Sequence, residues 1–340
     1  ACLAQDNDGD GVEDELDCSP NDASIAFPHR FYFDLDGDQV GDIENPADIC
    51  SKIPFPGSVL WHGDPDDNNA QVFPPPAPRA NRIFGLDFLD SNEVNESVIP
   101  YVDELGVEAL SVNIHWLLFE SAPGVYNGPE STKLDIVRDV AFFTGLKLNL
   151  TISVVSPYGL VAPTDLAADF YSGALRLSDP TFIDRYKAAL TNVHQRLGAA
   201  LLVSLQIGHE IDRLIRDAPI PSLWGDFETF YVAVAAHAKS LWGTQLKVGV
   251  TSTAFGLNDP VTGLFMDALN ARSDIISFTY EPRGSDYSIA DPVNVASDLG
   301  AIVARYPGRE LSIQSVAFPS APLTGSSETR QSQFIAALFS

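Results

Sequence analysis

The chain has 340 residues, 45% of them hydrophobic, which is enough for one large domain together with a smaller one. Its net charge of −26 argues against nucleic acid or an anionic membrane surface as a partner. No apolar run reaches the length of a membrane-spanning helix, so we expect no membrane span.

The N-terminal stretch carries much of the acidity and all three cysteines. Residues 1–70 contain 17 Asp and Glu against only two Lys and Arg. Cys2, Cys18 and Cys50 lie in the same stretch. An odd number of cysteines allows one disulfide and one remaining thiol, and the sequence leaves the pairing open.

Two acidic repeats in this stretch place aspartates at alternating positions around a glycine. They are DNDGDGVED at residues 6–14 and DLDGDQVGD at residues 34–42, and a further acidic cluster lies at residues 64–69. Ca²⁺ binds about six to eight oxygen atoms, which such loops supply from carboxylates and one backbone carbonyl. The predicted Ca²⁺ ligands are Asp6, Asp8, Asp10, Val12, Asp14, Asp17, Asp34, Asp36, Asp38, Val40, Asp42, Asp66 and Asp67. The alternative is a solvated, disordered acidic arm.

A proline-rich stretch, PPPAP at residues 74–78, predicts a stiff linker. We therefore divide the chain into a calcium-binding acidic segment at residues 1–72, a linker at residues 73–81 and a larger domain at residues 82–340.

Apolar, strand-like runs alternate with amphipathic, helix-like stretches in the larger domain. The predicted strands lie at residues 83–88, 109–116, 146–155, 201–208, 246–253, 274–280 and 311–318. The helical patterns include Ser178–Leu197 and Phe227–Leu241. Repeated βα units predict a parallel sheet, either doubly wound or closed into a barrel. No glycine-rich dinucleotide or phosphate motif follows the first strand, so the sequence favours an α/β fold of the (β/α)-barrel type.

Glu210 closes one of these apolar runs, in the stretch SLQIGHEIDR at residues 204–213. Parallel strands that are buried on both faces have such apolar runs, and barrel enzymes carry their catalytic groups at the carboxyl ends of the strands. The position indicates a catalytic carboxylate; the alternative is a solvated side chain at a strand end.

The acidic stretch resembles thrombospondin type 3 repeats and a related bacterial metal-binding repeat of the form YYxDxDGDGxGD…C…GDCDDxxxxxxP. FYFDLDGDQVGD, Cys50 and GDPDDNNAQVFP follow that form, but Pro65 stands where the second cysteine of the repeat would be. Cys50 therefore lacks its usual partner, which leaves Cys18–Cys50 or Cys2–Cys18 as the expected disulfide. The resemblance implies an extracellular or cell-surface protein that Ca²⁺ stabilises, since so small a segment has little hydrophobic core.

The larger domain resembles clan A glycoside hydrolases in four motifs that occur in order. They are NIHWLLFESAPGVYN for the second strand, QIGHEID for the fourth, TYEP for the sixth and SIQSVAFPSAPLTGSSETRQSQFIAALF for the seventh. The resemblance implies a TIM-type barrel in which Glu210 takes the general acid/base position and Ser315 takes the nucleophile position.

Ser315 is the main departure from that family, in which the nucleophile is a glutamate. A retaining glycosidase needs two carboxyl groups about 5–5.5 Å apart, one to donate a proton and one to attack the sugar. Losing one of them costs several kcal/mol of transition-state stabilisation. His209 also replaces the family's Asn, Ala317 a Gly and Glu281 a Tyr, which indicates a lineage released from catalysis.

Two other carboxylates are candidates for the missing nucleophile. Glu281 follows Tyr280 at the end of the sixth strand, and successive side chains of a strand point to opposite faces, so only one of the two faces the pocket. Asp87, at the end of the first strand, is the other candidate. The predicted substrate-binding residues are His209, Tyr280, Trp116 and Glu281.

The family barrel has an eighth strand and helix, whereas this sequence ends in the helical stretch Glu328–Phe339. Either the chain is cut short, or a strand from a neighbouring subunit completes the sheet and builds head-to-tail filaments.

The sequence therefore predicts an exported, calcium-stabilised, catalytically degenerate glycoside-hydrolase-like protein. Its role would be a structural or carbohydrate-binding component of an extracellular assembly, with a polysaccharide or further copies of the chain as partners. The alternative is an active retaining glycoside hydrolase that acts on β-glucan-type polysaccharide with a relocated nucleophile.

Overall fold

A computed structural model describes most of the larger domain and parts of the N-terminal segment. The described residues are 5–9, 12, 14–15, 17–22, 25, 28–37, 41–42, 45–51, 53–59, 67–69, 83, 85–88, 107–156, 159–198, 202–213, 222–282, 289–320 and 326–339. The predicted linker at residues 73–81 lies outside them, so the predicted domain boundary stays a prediction.

The N-terminal segment contains a small antiparallel sheet. Strands β1 (His29–Phe33), β2 (Pro46–Ile49) and β3 (Ser58–Val59) are arranged in the order β2-β1-β3. Phe31 and Tyr32 of β1 are buried, and Phe55 contacts the ring of Phe31 edge-on. Few buried side chains hold these strands together, as expected for so short a segment.

A disulfide links Cys18 to Cys50, with their Cα atoms 5.4 Å apart. This structure therefore selects one of the two pairings that the sequence left open, whereas Cys2 lies outside the described residues. The bridge closes a loop across a sequence separation of 32 residues. Such a loop corresponds to about 4 kcal/mol of stabilisation in the chain-entropy account.

The larger domain contains a short hairpin and two parallel sheets. The hairpin pairs β7 (Val155–Ser156) with β8 (Gly159–Leu160). The remaining strands are β4 (Gly85–Phe88), β5 (Ala109–His115), β6 (Lys147–Ser153), β9 (Leu202–Ile207), β10 (Lys247–Gly249), β11 (Thr251–Thr253), β12 (Ile276–Tyr280) and β13 (Leu311–Val316). They form one sheet in the order β10-β9-β6-β5-β4 and another in the order β11-β12-β13.

Each predicted strand range contains one of these strands, and the fifth range contains two. Within it β10 pairs with β9 and β11 pairs with β12, both in parallel, so the single residue Val250 carries the chain from one sheet to the other. The prediction of a parallel α/β sheet is confirmed.

Nine helices of the described chain connect these strands. They are α1 (Trp116–Phe119), α2 (Pro129–Thr144), α3 (Thr164–Ser172), α4 (Pro180–Leu197), α5 (Leu223–Trp242), α6 (Ala254–Asn258), α7 (Thr262–Asn270), α8 (Val295–Arg305) and α9 (Glu328–Phe339), with a short 3₁₀ turn at Pro292–Asn294. Helix α4 illustrates why they form: proline occupies its first turn, Gly198 ends it, and its apolar residues recur at helical spacing. No helix among the described residues is long and apolar enough to cross a membrane.

The strands bury apolar residues on one face and carry polar residues on the other. In β5, Val112 and Ile114 are buried, whereas Ser111 and Asn113 make polar contacts with other strands. Ser111 Oγ donates to Gln314 Oε1 of β13 at 3.3 Å, although β5 and β13 are not neighbours in either sheet. The sheets therefore curve toward each other, and the interior of the barrel contains many Ser, Thr, Asn and Gln side chains.

The chain divides into two compact units. The first comprises residues 1–110, 135–148 and 199–201, and the second comprises residues 111–134, 149–198 and 202–340. The second unit holds every residue of the candidate site described next, except those of the acidic segment and Asp87.

Candidate functional site

Glu210 lies three residues beyond the end of β9, where the backbone takes an unusual conformation. Its φ angle is 48°, the only positive value for a non-glycine residue in the described chain. Backbone hydrogen bonds from Gly208 to Ile152 and from His209 to Val155 hold the preceding residues on the neighbouring β6–β7 segment. A glutamate with a left-handed backbone conformation persists only where its surroundings fix it, and residues in such conformations concentrate at functional sites.

The Glu210 carboxylate is buried and both of its oxygens have partners. Thr279 of β12 donates its hydroxyl to Oε1 at 2.6 Å. The Nε atom of Arg213 lies 3.0 Å from Oε2. Glu210 is only 8% exposed, so its carboxylate depends on these two partners for much of its hydrogen bonding.

Ser315 lies next to this site on the adjacent strand. In the parallel pairing of β12 with β13, Thr279 is opposite Ser315, and the register shifts by one residue just before this pair. The residue predicted to occupy the nucleophile position therefore lies in register with the residue that binds Glu210. Its side chain is a hydroxyl, so this position supplies no carboxylate.

Tyr280 does not face Glu210, which corrects its predicted role in substrate binding. Its hydroxyl donates to Asp298 Oδ2 of α8 at 2.8 Å, and its ring stacks on Phe334 of α9 at a centroid distance of 5.9 Å. Burial, together with Asp298, raises the pKa of Tyr280. The side chain belongs to the layer between β12 and the helices because Thr279, one residue earlier, occupies the inward face.

The alternation of side-chain direction along β12 also gives the direction of Glu281. Thr279 points inward and Tyr280 outward, so an extended backbone places the next side chain, Glu281, on the inward face. The amide of Ala317 donates to the carbonyl of Tyr280, which continues the ladder beyond β12 and keeps this part of the chain extended. Glu281 is half-buried. The side chain of Asp87, the other candidate carboxylate, lies outside the described part of the chain.

Trp116 is a core residue, which corrects its predicted role as a sugar-stacking platform. It is 0% exposed and packs edge-on against Phe182 and Tyr186 of α4. Its indole N–H donates to Glu120 Oε2 at 2.8 Å. No face of the ring is accessible to a ligand.

The E-x-x-P-G-x-Y motif is a structural turn organised by Glu120. Besides Trp116, the Glu120 carboxylate accepts hydrogen bonds from the amide of Gly124 and from Arg185 Nε, each at 2.6 Å. Arg185 also binds Asp165 of α3. The motif therefore fixes the loop after β5 to α4.

His209, which follows Gly208 and precedes Glu210, interacts electrostatically with both Glu210 and His115. Burial lowers the pKa of His209, and the Glu210 carboxylate opposes that effect only in part. Burial likewise lowers the pKa of His115, whose Nδ1 lies 3.7 Å from Glu130 Oε1. Two neutral imidazoles at neutral pH provide hydrogen-bonding groups without charge, which suits a polar, uncharged ligand such as a sugar hydroxyl.

Asp212 is a second buried carboxylate that the sequence did not single out. Its oxygens accept hydrogen bonds from the amide of Thr253 at 2.8 Å and from the Thr253 hydroxyl at 2.6 Å. Burial raises the pKa of Asp212, and these hydrogen bonds oppose the effect. Because a Cβ on Gly256 would overlap the Asp212 carboxylate, close backbone approach encloses the group. Asp212 therefore joins the ends of β9 and β11, and the Glu210 charge adds to the rise in its pKa; a glycine three residues after Thr253 was the available sequence signal.

Three predicted calcium ligands lie together in the N-terminal segment. Asp34, Asp36 and Asp67 each offer a carboxylate oxygen, and these atoms lie within 4.8 Å of one another. The buried Asp67 accepts a hydrogen bond from the amide of Leu35, which fixes the distant acidic cluster to the repeat. Three converging carboxylates match the oxygen ligands that Ca²⁺ prefers, so the residues present fit the ion.

The first acidic repeat shares the local turn of the second. Asp6 accepts from the amide of Gly9 and Asp34 accepts from the amide of Gly37, and both glycines have φ near 80°. Within the described residues, however, the first repeat brings no three carboxylates together. Asp8, Val12, Asp14, Asp17 and Asp42 are described outside the cluster, whereas Asp10, Asp38, Val40 and Asp66 lie outside the described residues.

No family model and no curated protein matches the chain. Solved structures do match it. They include exo-β-1,4-mannosidase Op5Man5 from Opitutaceae bacterium strain TAV5, with 15% identity and a TM-score of 0.56 over 75% of this chain and 49% of that one. The GH53 catalytic domain from Ignisphaera aggregans has 16% identity and a TM-score of 0.55 over 76% of this chain and 75% of that one.

A structure of fungal β-1,4-galactanases shows the same likeness, with 16% identity and a TM-score of 0.54 over 76% of this chain and 84% of that one. The chain spans about half the length of the mannosidase (49%). At these identities the likeness establishes the fold, a TIM-type barrel, and leaves family, activity and substrate open.

Proposed function

We propose that this protein is a catalytically degenerate, glycoside-hydrolase-like barrel that serves as a structural or carbohydrate-binding component outside the cell. The observation that carries the proposal is the environment of Glu210. Thr279 and Arg213 bind both of its oxygens, and the position in register with Thr279 is Ser315. The retaining mechanism requires a second carboxylate about 5–5.5 Å from the first, and Ser315 cannot supply it.

Turnover assays test this proposal directly. We expect the purified chain to release no more product from aryl β-glycosides and laminarin-type glucans than its Glu210→Gln variant does. That substitution keeps the shape of the side chain and an acceptor for Thr279 while removing the acid. Turnover that depends on Glu210 would overturn the proposal.

An active hydrolase is the second candidate, because the alternation along β12 favours an inward Glu281. Thr279, which binds Glu210, is two residues before Glu281, or about 6.6 Å along an extended strand. The carboxylates of Glu210 and Glu281 therefore belong to the same end of the barrel. In this alternative Glu210 donates the proton and Glu281 acts in place of Ser315. Wild-type turnover that both Glu210→Gln and Glu281→Gln abolish would establish it, whereas Asp298→Asn, on the outward side of β12, would serve as a control.

Carbohydrate binding without hydrolysis is supported by polar groups at the strand ends and on the loops after them, and by an aromatic pair on α5 and α7. His209, His115 and Glu210 provide hydrogen-bonding groups, and Trp224, at the start of α5, stacks on Phe265, which is 45% exposed. Trp224 and Phe265 therefore offer an aromatic surface for a sugar, whereas Trp116 and Tyr280 are buried. Co-sedimentation with insoluble β-glucans tests this role: Trp224→Ala should weaken binding, and Phe255→Ala, an exposed aromatic of α6, provides the matched control.

Ca²⁺ is proposed as the ion that organises the acidic segment through Asp34, Asp36 and Asp67. Three like charges within 4.8 Å repel one another unless a cation neutralises them, so the cluster supports a divalent ion at this position. When bound, Ca²⁺ would cross-link residues that are about thirty positions apart in sequence, because Asp67 approaches the Leu35 amide.

Calcium titration with a proteolysis readout tests the ion. Addition of EDTA should increase cleavage within residues 1–72 and leave the barrel resistant. Asp67→Asn should reproduce the effect of EDTA, and Asp48→Asn, a β2 carboxylate paired with Arg30, serves as the control. Equal cleavage with Ca²⁺ and with EDTA would remove the support for calcium.

An extracellular location fits the disulfide between Cys18 and Cys50, because such bonds persist mainly in oxidising compartments. Assembly of copies head to tail remains a further part of the proposal. Electron microscopy of the protein in calcium tests it, and monomers at high concentration would count against it.

A further inference from the structure

Three buried oxygen atoms in the barrel have no hydrogen-bond partner within the described part of the chain. They are Gln206 Oε1, Thr251 Oγ1 and Ser277 Oγ. Their residues are 0%, 0% and 1% exposed. Buried polar atoms in folded proteins are nearly always paired, because an unpaired one loses its hydration without compensation. Three such atoms on neighbouring strands call for a common partner.

The strand register places two of the three atoms side by side. Thr251 of β11 is directly opposite Ser277 of β12 in a parallel pairing. Neighbouring strands lie about 4.8 Å apart, and residues in register point to the same face. Neither hydroxyl has a hydrogen-bond partner among the described residues, and a single water molecule between the two side chains would give both of them one.

Gln206 approaches the inward face of the next strand from β9. Gly249 of β10 is opposite Gln206, and a Cβ built on Gly249 would lie 2.7 Å from Gln206 Oε1. The carboxamide oxygen therefore lies over Gly249, two residues before Thr251 on the inward face. The absence of a side chain at Gly249 is what allows this approach.

These atoms lie one layer deeper in the barrel than the Glu210 site. Ser277 precedes Thr279 by two residues, so the two side chains share the inward face of β12. Thr279 is the residue that donates to Glu210. The three oxygens therefore form the floor beneath Glu210.

We propose that an ordered internal water molecule binds at this floor and joins the three strands. The Thr251 hydroxyl would donate to the water, and the water would donate to Gln206 Oε1 and Ser277 Oγ. Three hydrogen bonds are typical of a buried water in a globular protein. Two hydroxyls and a neutral amide suit water, which both donates and accepts, better than a cation, which would use them only as acceptors.

A high-resolution crystal structure of the whole chain gives the first test. We expect a water molecule within hydrogen-bond distance of at least two of the three oxygens. A dry interior in which Gln206, Thr251 and Ser277 bond to one another would overturn the proposal. A bound cation at this position would also overturn the proposal. It would be revealed by a Tm that differs between potassium, sodium and choline chloride at equal ionic strength.

Thr251→Val gives the second test, because valine has the shape of threonine but no hydroxyl. Oxygen-17 magnetic relaxation dispersion, which counts long-lived internal waters, should show at least one fewer than in the wild type, with a Tm lower by about 2 °C. Thr191→Val, on the helix α4, removes a hydroxyl bonded to the Lys187 carbonyl and should leave the water count unchanged.

An unchanged water count in Thr251→Val would contradict the proposal, and so would a higher Tm, since removing a dry, unpaired hydroxyl stabilises a protein. Should this variant fail to fold, Ser277→Ala is measured in its place, and the wild-type crystal structure decides independently. The outcome does not depend on whether Glu210 is catalytic.

Discussion

The acidic N-terminal segment and the barrel are held together by different kinds of interaction. Strands β1, β2 and β3 of the acidic segment lie around Phe31, Tyr32 and Phe55, and a disulfide and clustered carboxylates supplement this small core. The barrel instead buries a continuous apolar layer between strands and helices and carries polar side chains on the inner face of its strands. Cross-links should therefore control the stability of the first region, and packing should control that of the second.

Loss of packing in the barrel should have the largest effect. Trp116→Ala removes a fully buried ring that contacts Phe182 and Tyr186, and we expect a loss of about 4–5 kcal/mol in the free energy of unfolding. Urea denaturation followed by circular dichroism measures it. The control Phe255→Ala truncates a ring that is 71% exposed and should change little; a similar loss in both variants would argue against the described core.

Removal of the disulfide should destabilise only the acidic segment. Replacing Cys18 and Cys50 by alanine should lower the free energy of unfolding of that segment by about 4 kcal/mol. Without the cross-link the unfolded chain is no longer held in a closed loop and gains entropy. Limited proteolysis should show cleavage within residues 1–72 while the urea transition of the barrel stays in place. Cys2→Ala is the matched control, and a shifted barrel transition would remove the distinction between the two regions.

Breaking the buried ion pair between Arg185 and Glu120 should have the next largest effect on stability. Arg185→Met leaves the Glu120 carboxylate, whose side chain is 0% exposed, without its cationic partner, and we expect a loss of about 3 kcal/mol. Arg272→Met breaks an ion pair whose partners are 54% and 38% exposed and should cost less than about 1 kcal/mol. Equal effects of the two substitutions in thermal denaturation would contradict the structural role assigned to Glu120.

The pH dependence of the barrel should show the smallest effect. Burial raises the pKa of Asp212, so the folded protein binds this proton more tightly than the unfolded chain does. Its contribution to stability is therefore complete at low pH and is lost as the pH rises from about 4 through the raised pKa. Relative to wild type, Asp212→Asn should gain stability as the pH rises toward neutrality.

Asp267→Asn should show the opposite trend. Burial acts to raise the pKa of Asp267, but hydrogen bonds from Arg305 and Tyr306 outweigh it and lower that pKa. The wild-type carboxylate therefore stabilises the fold above its ordinary pKa, and this contribution is lost as the pH falls. Tm values measured from pH 3 to pH 7 compare the two variants, and slopes of the same sign would contradict the assignment.

Much of the barrel could be predicted from the sequence because buried parallel strands leave apolar runs of characteristic length. The division of the fifth strand at Val250 could not, because the change of pairing depends on the curvature of the sheets. The disulfide partner of Cys50 was also beyond the sequence, which gives spacing but no distance between Cα atoms.

The candidate site was predicted less completely than the fold. The sequence identified Glu210 and Ser315, and the structure places Ser315 in register with the residue that binds Glu210. It misplaced Trp116 and Tyr280, because an aromatic residue at a strand end has the same sequence signature whether it faces a pocket or a helix. Arg213 and Thr279, which bind the Glu210 carboxylate, gave no signal of their own.

Hydrolysis of a β-glycoside with an activated leaving group tests the central claim most directly, because it needs the least help from a proton donor. Rates for wild type, Glu210→Gln and Glu281→Gln should be indistinguishable from one another and from the uncatalysed reaction, measured with Ca²⁺ present. Wild-type turnover that falls at least a hundredfold in either variant would contradict the account of a protein without catalysis, and a fall in both variants would show that two carboxylates still cooperate in this barrel.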